Sequence, residues 1–386
     1  MRQRTLIALA IVTVPVLAAA LFIPARSGSA LKPAETGPEF PALKDWIGGA
    51  AKLTVTGAGG SIVTLSRPAP AKPGDAGAVP ASGWGLADKA GYPVQESVIR
   101  PMLAGLAALH TIEARTERPK LYDRLDVEDP AASKDAKSKL IELDNANGAS
   151  IVKLIVGRRR FAPVGGGADG IYIRKPEDER SWLAEPAFDV PADALGWIDQ
   201  KIVDIDPDKI KSLTLTPAGG PALVLDRAKP EDKLAIRDLP KDATLRSETP
   251  GSDIAGSFRS LDLLDVRPAA GLSTPVSATI EVETFDGLDT IVSLYDLPSE
   301  SWLTVTAKAA GDAAKDADEI VKRTKGWAYK ITPSRAKIFE SKLADLLTPV
   351  PPGASAKPAA EAPKPAPEAT PKPAAEVAPK PAKPGK

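Results

Sequence analysis

Residues Leu53–Arg67 read LTVTGAGGSIVTLSR, and residues Leu213–Arg227 read LTLTPAGGPALVLDR. Without a gap they share Leu53/Leu213, Thr54/Thr214, Thr56/Thr216, Ala58/Ala218, Gly59/Gly219, Gly60/Gly220, Leu65/Leu225 and Arg67/Arg227. Each alternates apolar and polar residues on both sides of a Gly-Gly turn, the pattern of a β-hairpin with one buried face. The likeness continues downstream. Met102–Arg115 (MLAGLAALHTIEAR) parallels Ile254–Arg267 (IAGSFRSLDLLDVR), a short helix leading into a strand. Ile141–Leu143, Asn147-Gly148 and Ile151–Leu154 parallel Ile280–Val282, Asp286-Gly287 and Ile291–Leu294. Both read as hairpins whose dipeptides suit a type I′ turn, where φ is positive. Phe188–Ala194 then resembles Tyr329–Ala336: strand end, proline, helix start. One hairpin could match by chance, but four matches in one order predict a duplication.

The expected fold class is therefore α+β. It comprises two tandem modules of mainly antiparallel β-hairpins, each with one or two packing helices, over about 45–196 and 197–348. In Ser334–Leu347 the residues Phe339, Leu343, Leu346 and Leu347 form one apolar stripe, with Ser334 as the expected N-cap. In Val98–Leu109, Val98, Met102, Leu106 and Leu109 do the same, and Pro101 limits or kinks that helix.

Outside the modules the composition changes. Met1-Arg-Gln-Arg4 precedes an uncharged run whose apolar residues are Leu6, Ile7, Leu9, Ile11, Val12, Val14, Val16, Leu17, Leu21, Phe22 and Ile23. Residues 1–30 thus read as a membrane anchor or signal segment. Gly28-Ser-Ala30 resembles a cleavage site, but the length of the run favours an uncleaved transmembrane helix. Positive-inside orientation keeps Arg2 and Arg4 cytoplasmic and places the bulk of the chain on the extracytoplasmic side of the membrane. At the other end, residues 349–386 are built from Pro, Ala, Lys and Glu with no aromatic residue. Such a segment buries too little apolar surface to fold, and reads as a disordered, polyproline-II-like spacer or a tether to the cell wall or a partner.

Charge and residue inventory exclude several classes. Lys+Arg and Asp+Glu number 50 each, so the basic excess of a nucleic-acid binder is missing. With no cysteine and one histidine, thiolate chemistry, disulfides and multi-histidine metal sites are excluded. No cofactor, metal or catalytic residue is assigned. Gly165-x-Gly167-x-x-Gly170 matches a dinucleotide fingerprint only as a string, because strand-like Ile171–Arg174 follows where a helix is needed. Asp204-x-Asp206-x-Asp208 lacks the glycine and the final glutamate of a calcium loop, having Lys209 and Leu215 instead. Ser334-x-x-Lys337 lacks the companion elements of the serine–lysine hydrolases. His110 reads as a partly buried helix-end residue, and Asp123, Asp126, Glu128 and Asp129 as solvated loop acids. Two carboxylates suffice for a glycosidase, so an envelope hydrolase stays a third alternative. Two features suggest contact with a partner or ligand. Trp84, in a Gly-Trp-Gly loop, is the candidate exposed aromatic, while Arg158, Arg159 and Arg160 form the densest basic run.

This arrangement resembles a family of bacterial envelope proteins, domain of unknown function 4340. The residues that carry the resemblance are Trp46–Arg67, Gly83-Trp-Gly-Leu86, Gly170–Arg174 with Ser181-Trp-Leu183, and Trp197–Arg227. It covers about residues 1–348. The resemblance implies an accessory role beside an ABC-type permease and a gliding-type auxiliary subunit, and it brings no catalytic residues. The expected function is a non-catalytic, membrane-anchored extracytoplasmic scaffold of an envelope transport complex. The alternative is a periplasmic solute- or glycan-binding protein with a cleft between its repeats.

Overall fold

The computed structural model of the chain describes residues 49–67, 83–162, 166–309 and 311–348. Strands β1 (Ala50–Thr56), β2 (Ile62–Ser66), β3 (Gly85–Leu86), β4 (Tyr92–Pro93), β5 (His110–Ala114), β6 (Lys139–Asn145), β7 (Ser150–Arg160), β8 (Gly170–Arg174) and β9 (Ser181–Glu185) form the first sheet. Its order is β4-β3-β2-β1-β6-β7-β8-β9-β5. A short strand, β10 (Lys201–Val203), leads into β11 (Ile210–Pro217), β12 (Leu223–Asp226) and β13 (Ala235–Ile236). There follow β14 (Leu261–Asp262), β15 (Asp265–Pro268), β16 (Ala278–Thr284), β17 (Leu288–Leu297), β18 (Glu300–Ala309) and β19 (Trp327–Ile331). The second sheet runs β13-β12-β11-β16-β17-β18-β19-β15, and β10 pairs with β14 beside it. Apart from β4, the two sheets repeat one connection order. All pairings in them are antiparallel, which consecutive hairpins require.

The alternation seen in the sequence decides which face is buried. Leu53 and Val55 point inward opposite Leu143 and Ile141, as Leu213 and Leu215 do opposite Val282 and Ile280. Thr54 and Thr214 point outward. Each fully buried Leu or Ile contributes roughly 1.5–3 kcal/mol, so these inner faces hold the sheets in place. One contiguous core joins both modules, from Ala50 to Phe339.

The helices are minor. They are α1 (Glu96–Ala107), α2 (Pro250–Gly256), α3 (Ala314–Thr324), α4 (Pro333–Phe339) and α5 (Leu343–Leu346). The described residues are 38% strand against 25% helix, much of the latter in single 3-10 turns. This corrects the expected α+β class to a predominantly antiparallel β fold. The membrane-spanning helix expected in that class is also withdrawn. Its apolar run lies outside the described residues, and among these no helix is long and apolar enough to cross a membrane. The longest, α1, has 12 residues, about 18 Å of helix against a hydrocarbon core of about 30 Å. The tail 349–386 also lies outside the described residues.

Smaller corrections concern turns and caps. At Asn147-Gly148 and Asp286-Gly287 only the glycines have positive φ, 78° and 87°. Their N–H groups donate to Asn145 O (3.0 Å) and Thr284 O (3.1 Å). Each is thus a type I turn followed by a left-handed glycine, not a type I′ turn. The N-cap of α4 is Thr332, whose hydroxyl accepts from Arg335 N at 3.3 Å, and the helix ends at Phe339 instead of running to Leu347. In α1 the buried stripe is Ile99, Met102, Gly105 and Leu106, with Pro101 inside the helix. His110 is exposed and opens β5.

Candidate functional site

The first sheet ends at β4 and the second at β15, and these unlike edges meet. Lys89, in the 3-10 turn Ala87–Lys89, pairs with Asp265 at 2.6 Å. Tyr92 is 3% exposed; its ring lies edge-on to Trp327, with centroids 4.9 Å apart at 83°, and 6.3 Å from Tyr329. Gln95 N donates to Trp197 O at 2.8 Å. Tyr329 donates its hydroxyl to Arg323 O at 3.0 Å, and Arg323 Nη1 donates to Lys201 O at 3.0 Å. Arg323 also lies 3.8 Å from Asp199. Burial pushes the phenols of Tyr92 and Tyr329 upward, so both stay neutral donors at ordinary pH.

Beside this junction opens a groove of about 370 Å³. One wall is Tyr92-Pro93-Val94-Gln95; the other is Asp199 with Glu319, Lys322 and Arg323, the last three on α3. The groove is thus half sheet edge, half charged helix face. Two other concavities are more polar. One of about 220 Å³ is ringed by Asp204, Asp206, Asp286, Asp316, Glu319 and by Lys201, Lys209 and Arg323. The other, about 470 Å³, lies on the second sheet around Ser212, Thr214, Glu281, Ile291 and Lys308.

The acids of the aspartate run are occupied locally. Asp204 accepts from Lys201 Nζ at 2.7 Å and Ser260 N at 3.1 Å, which holds its carboxyl below the usual range. Asp206 is lowered by the N–H of Asp208, which it accepts at 3.2 Å, and by Arg259 at 2.7 Å. Together they cap and brace a turn. Elsewhere, Glu340 shares a hydrogen bond with the Asp296 carboxyl, and this, with burial, raises it to about 7. Neither residue lines any of the three concavities.

The contact residues proposed from sequence are not gathered into one site. Trp84 is only 8% exposed, packed into the core, which corrects the expected exposed indole. Its carbonyl accepts from Val94 N at 2.8 Å, so the Gly-Trp-Gly loop is part of the β3–β4 edge. Arg158 donates to Arg124 O, and Arg159 sits between Asp169 (3.6 Å) and Asp189 (3.4 Å). Among the described residues Arg160 Nε is buried without a hydrogen-bond partner, while neighbouring Phe161 is 73% exposed. Strand β7 stands four strands from β3, about 19 Å away across the sheet. The groove residues Tyr92, Asp199, Glu319 and Arg323 carried no sequence signal, because only the meeting of two sheet edges brings them together.

Fold and groove define a class: a doubled antiparallel-sheet protein whose copies share one core and leave a cleft at their junction. Within that class the chain belongs to the family described as domain of unknown function (DUF4340), whose sequence profile matches residues 84–276. The match begins at Trp84, crosses the junction and ends before β16. No curated protein matches the chain.

Proposed function

We propose that this protein is a non-catalytic, extracytoplasmic accessory scaffold of an envelope transport complex, exported by its N-terminal segment and bound to an ABC-type permease and its auxiliary subunit. The observation that carries the reading is the welded junction. Solute-binding proteins that work by closure need lobes that move about a hinge. Here Tyr92 against Trp327 and Tyr329, Gln95 N on Trp197 O, and Lys89 with Asp265 fasten the lobes through aromatic, hydrogen-bonded and ionic contacts. A fixed frame suits a part that holds others in register. Export is tested by fractionation, with periplasmic protease accessibility expected. Partner binding is tested by mild extraction and co-purification with an ABC-type permease. A partner-free monomer under those conditions would overturn the scaffold reading. The second reading, a solute or glycan held in the groove, is favoured by the mixed apolar and charged walls there. A ligand-induced thermal shift lost in Arg323→Ala would support it.

A further inference from the structure

We propose that the chain's own C-terminal tail docks in the groove between the modules, through units of the form Lys-Pro-Ala-Ala/Pro-Glu. The sequence holds three of them, Lys357–Glu361, Lys364–Glu368 and Lys372–Glu376. This inference stands apart from the scaffold reading and survives its failure.

The sheet-edge wall of the groove selects the kind of ligand. An edge strand ordinarily recruits another strand through free amides. Here Val94 N and Gln95 N already donate to Trp84 O and Trp197 O, each at 2.8 Å, and Pro93 has no N–H. Strand addition therefore finds no donors along Pro93–Gln95. A proline-rich segment, which adopts its extended form without internal hydrogen bonds, makes no such demand. The exposed Pro93 ring offers it an apolar contact.

Charge and size agree. The helix wall carries both signs, with Glu319 and Lys322 exposed. Each tail unit also carries both signs, its lysine and glutamate separated by about 12 Å in the polyproline form. Between them lie only proline and alanine, side chains small enough for a groove of about 370 Å³.

Reach does not limit the contact. The described chain ends at Thr348, whose N–H donates to Thr244 O at 2.7 Å. From that fixed point the first unit begins about 30 Å along an extended chain and the last about 75 Å, at roughly 3.1 Å per residue. A folded domain of this size is about 50 Å across. Tethering supplies an effective concentration near the millimolar range, so even a weak contact is populated.

The chain has no cysteine, so Ala369→Cys gives one thiol for a spin label in the full-length protein. The expected result is loss of amide signal at Gln95, Lys322 and Arg323 when the label is oxidised. Lys322→Glu should abolish that loss, and changing Glu361, Glu368 and Glu376 to lysine in the same chain should restore it. Unchanged intensities would overturn the proposal. So would losses centred on the second sheet around Thr214 and Glu281. Losses that appear only between labelled and unlabelled copies would assign the groove to a second molecule, and equally overturn it.

Discussion

The two modules keep the same inner faces and treat their outer faces differently. In the first, the 115–138 connection folds back over the sheet. Tyr122 and Val127 pack on Ile155, with Leu125, Leu140 and Tyr172 around them. Arg174, 7% exposed, clamps this cover. Its Nε donates to Val127 O at 3.0 Å, its Nη1 to the carbonyls of Lys175, Pro176 and Asp178, and its guanidinium lies 4.6 Å above the Tyr122 ring. In the second module the corresponding connection, 269–277, is short, and among the described residues nothing comparable covers the sheet. Matching the two registers, Leu140, Ile155 and Arg174 become Thr279, Ser293 and Thr304. Gly157 becomes Tyr295: a Cβ at 157 would meet the carbonyls of Leu125 and Asp126 in the cover, whereas 295 carries a half-buried ring opposite Trp302. One feature survives on both outer faces. Arg115 stacks 5.7 Å from Tyr172, and Arg267 stacks 4.1 Å from Trp302 at the equivalent place. Duplicated sheets thus hold their buried residues fixed and let the other face follow whatever covers it.

Four measurements break or sharpen this contrast. Tyr92→Ala removes a buried ring from the shared junction and should cost about 3–4 kcal/mol. Calorimetry should then resolve two transitions, one per module, where the native chain gives one. Arg174→Ala leaves the cover's carbonyls unpaired and should cost about 3 kcal/mol in urea unfolding, while the equivalent Thr304→Ala stays within about 0.5 kcal/mol. Gly157→Ala should cost about 2 kcal/mol through overpacking against the cover. If it proved neutral, the cover would not rest on the sheet as described.

The smallest effect concerns Glu340. Its carboxyl is raised from the usual 4.5 to about 7, chiefly by the hydrogen bond with Asp296 and then by burial. The folded state therefore binds the proton more tightly than the unfolded state. The associated stability is complete below pH 4.5 and is lost as pH rises through 7. Glu340→Gln should flatten this slope, raising stability at pH 8 by on the order of 1 kcal/mol after solvent screening. Denaturation at pH 5 and pH 8, compared between the two proteins, checks it.

Much of the sheet was legible because alternation is a local signal. Leu53/Leu213 and Ile141/Ile280 mark the same buried positions whether read as letters or coordinates. The same periodicity hid an error. The sequence match sets Leu154 against Leu294, but Leu154 stands opposite Ile141 while Val292 stands opposite Ile280. The true equivalent lies two residues away, and a slip of two leaves every side chain on its own face. The turns were misread for a different reason: Asn-Gly and Asp-Gly suit more than one geometry, and a bulge in the first hairpin changed the count. The helix cap moved because Thr332 and Ser334 are both good caps, and Pro333 fits best as the first helical residue. The groove was invisible because its walls belong to strand and helix residues more than 100 positions apart, joined only by packing.

The edge contact at Lys89 and Asp265 gives the molecule polarity. Because β4 of one copy abuts β15 of the other, no twofold axis relates them, and the far ends are β5 and β13. After β13 the chain's end is pinned back, since Leu347 bridges Leu245 and Arg246 N donates to Leu346 O at 2.9 Å. At the β5 end, Ile112 is 36% exposed on a bulged strand. Built from like halves, the protein meets its surroundings with a front and a back, and anything that grips one extremity has no second place to hold.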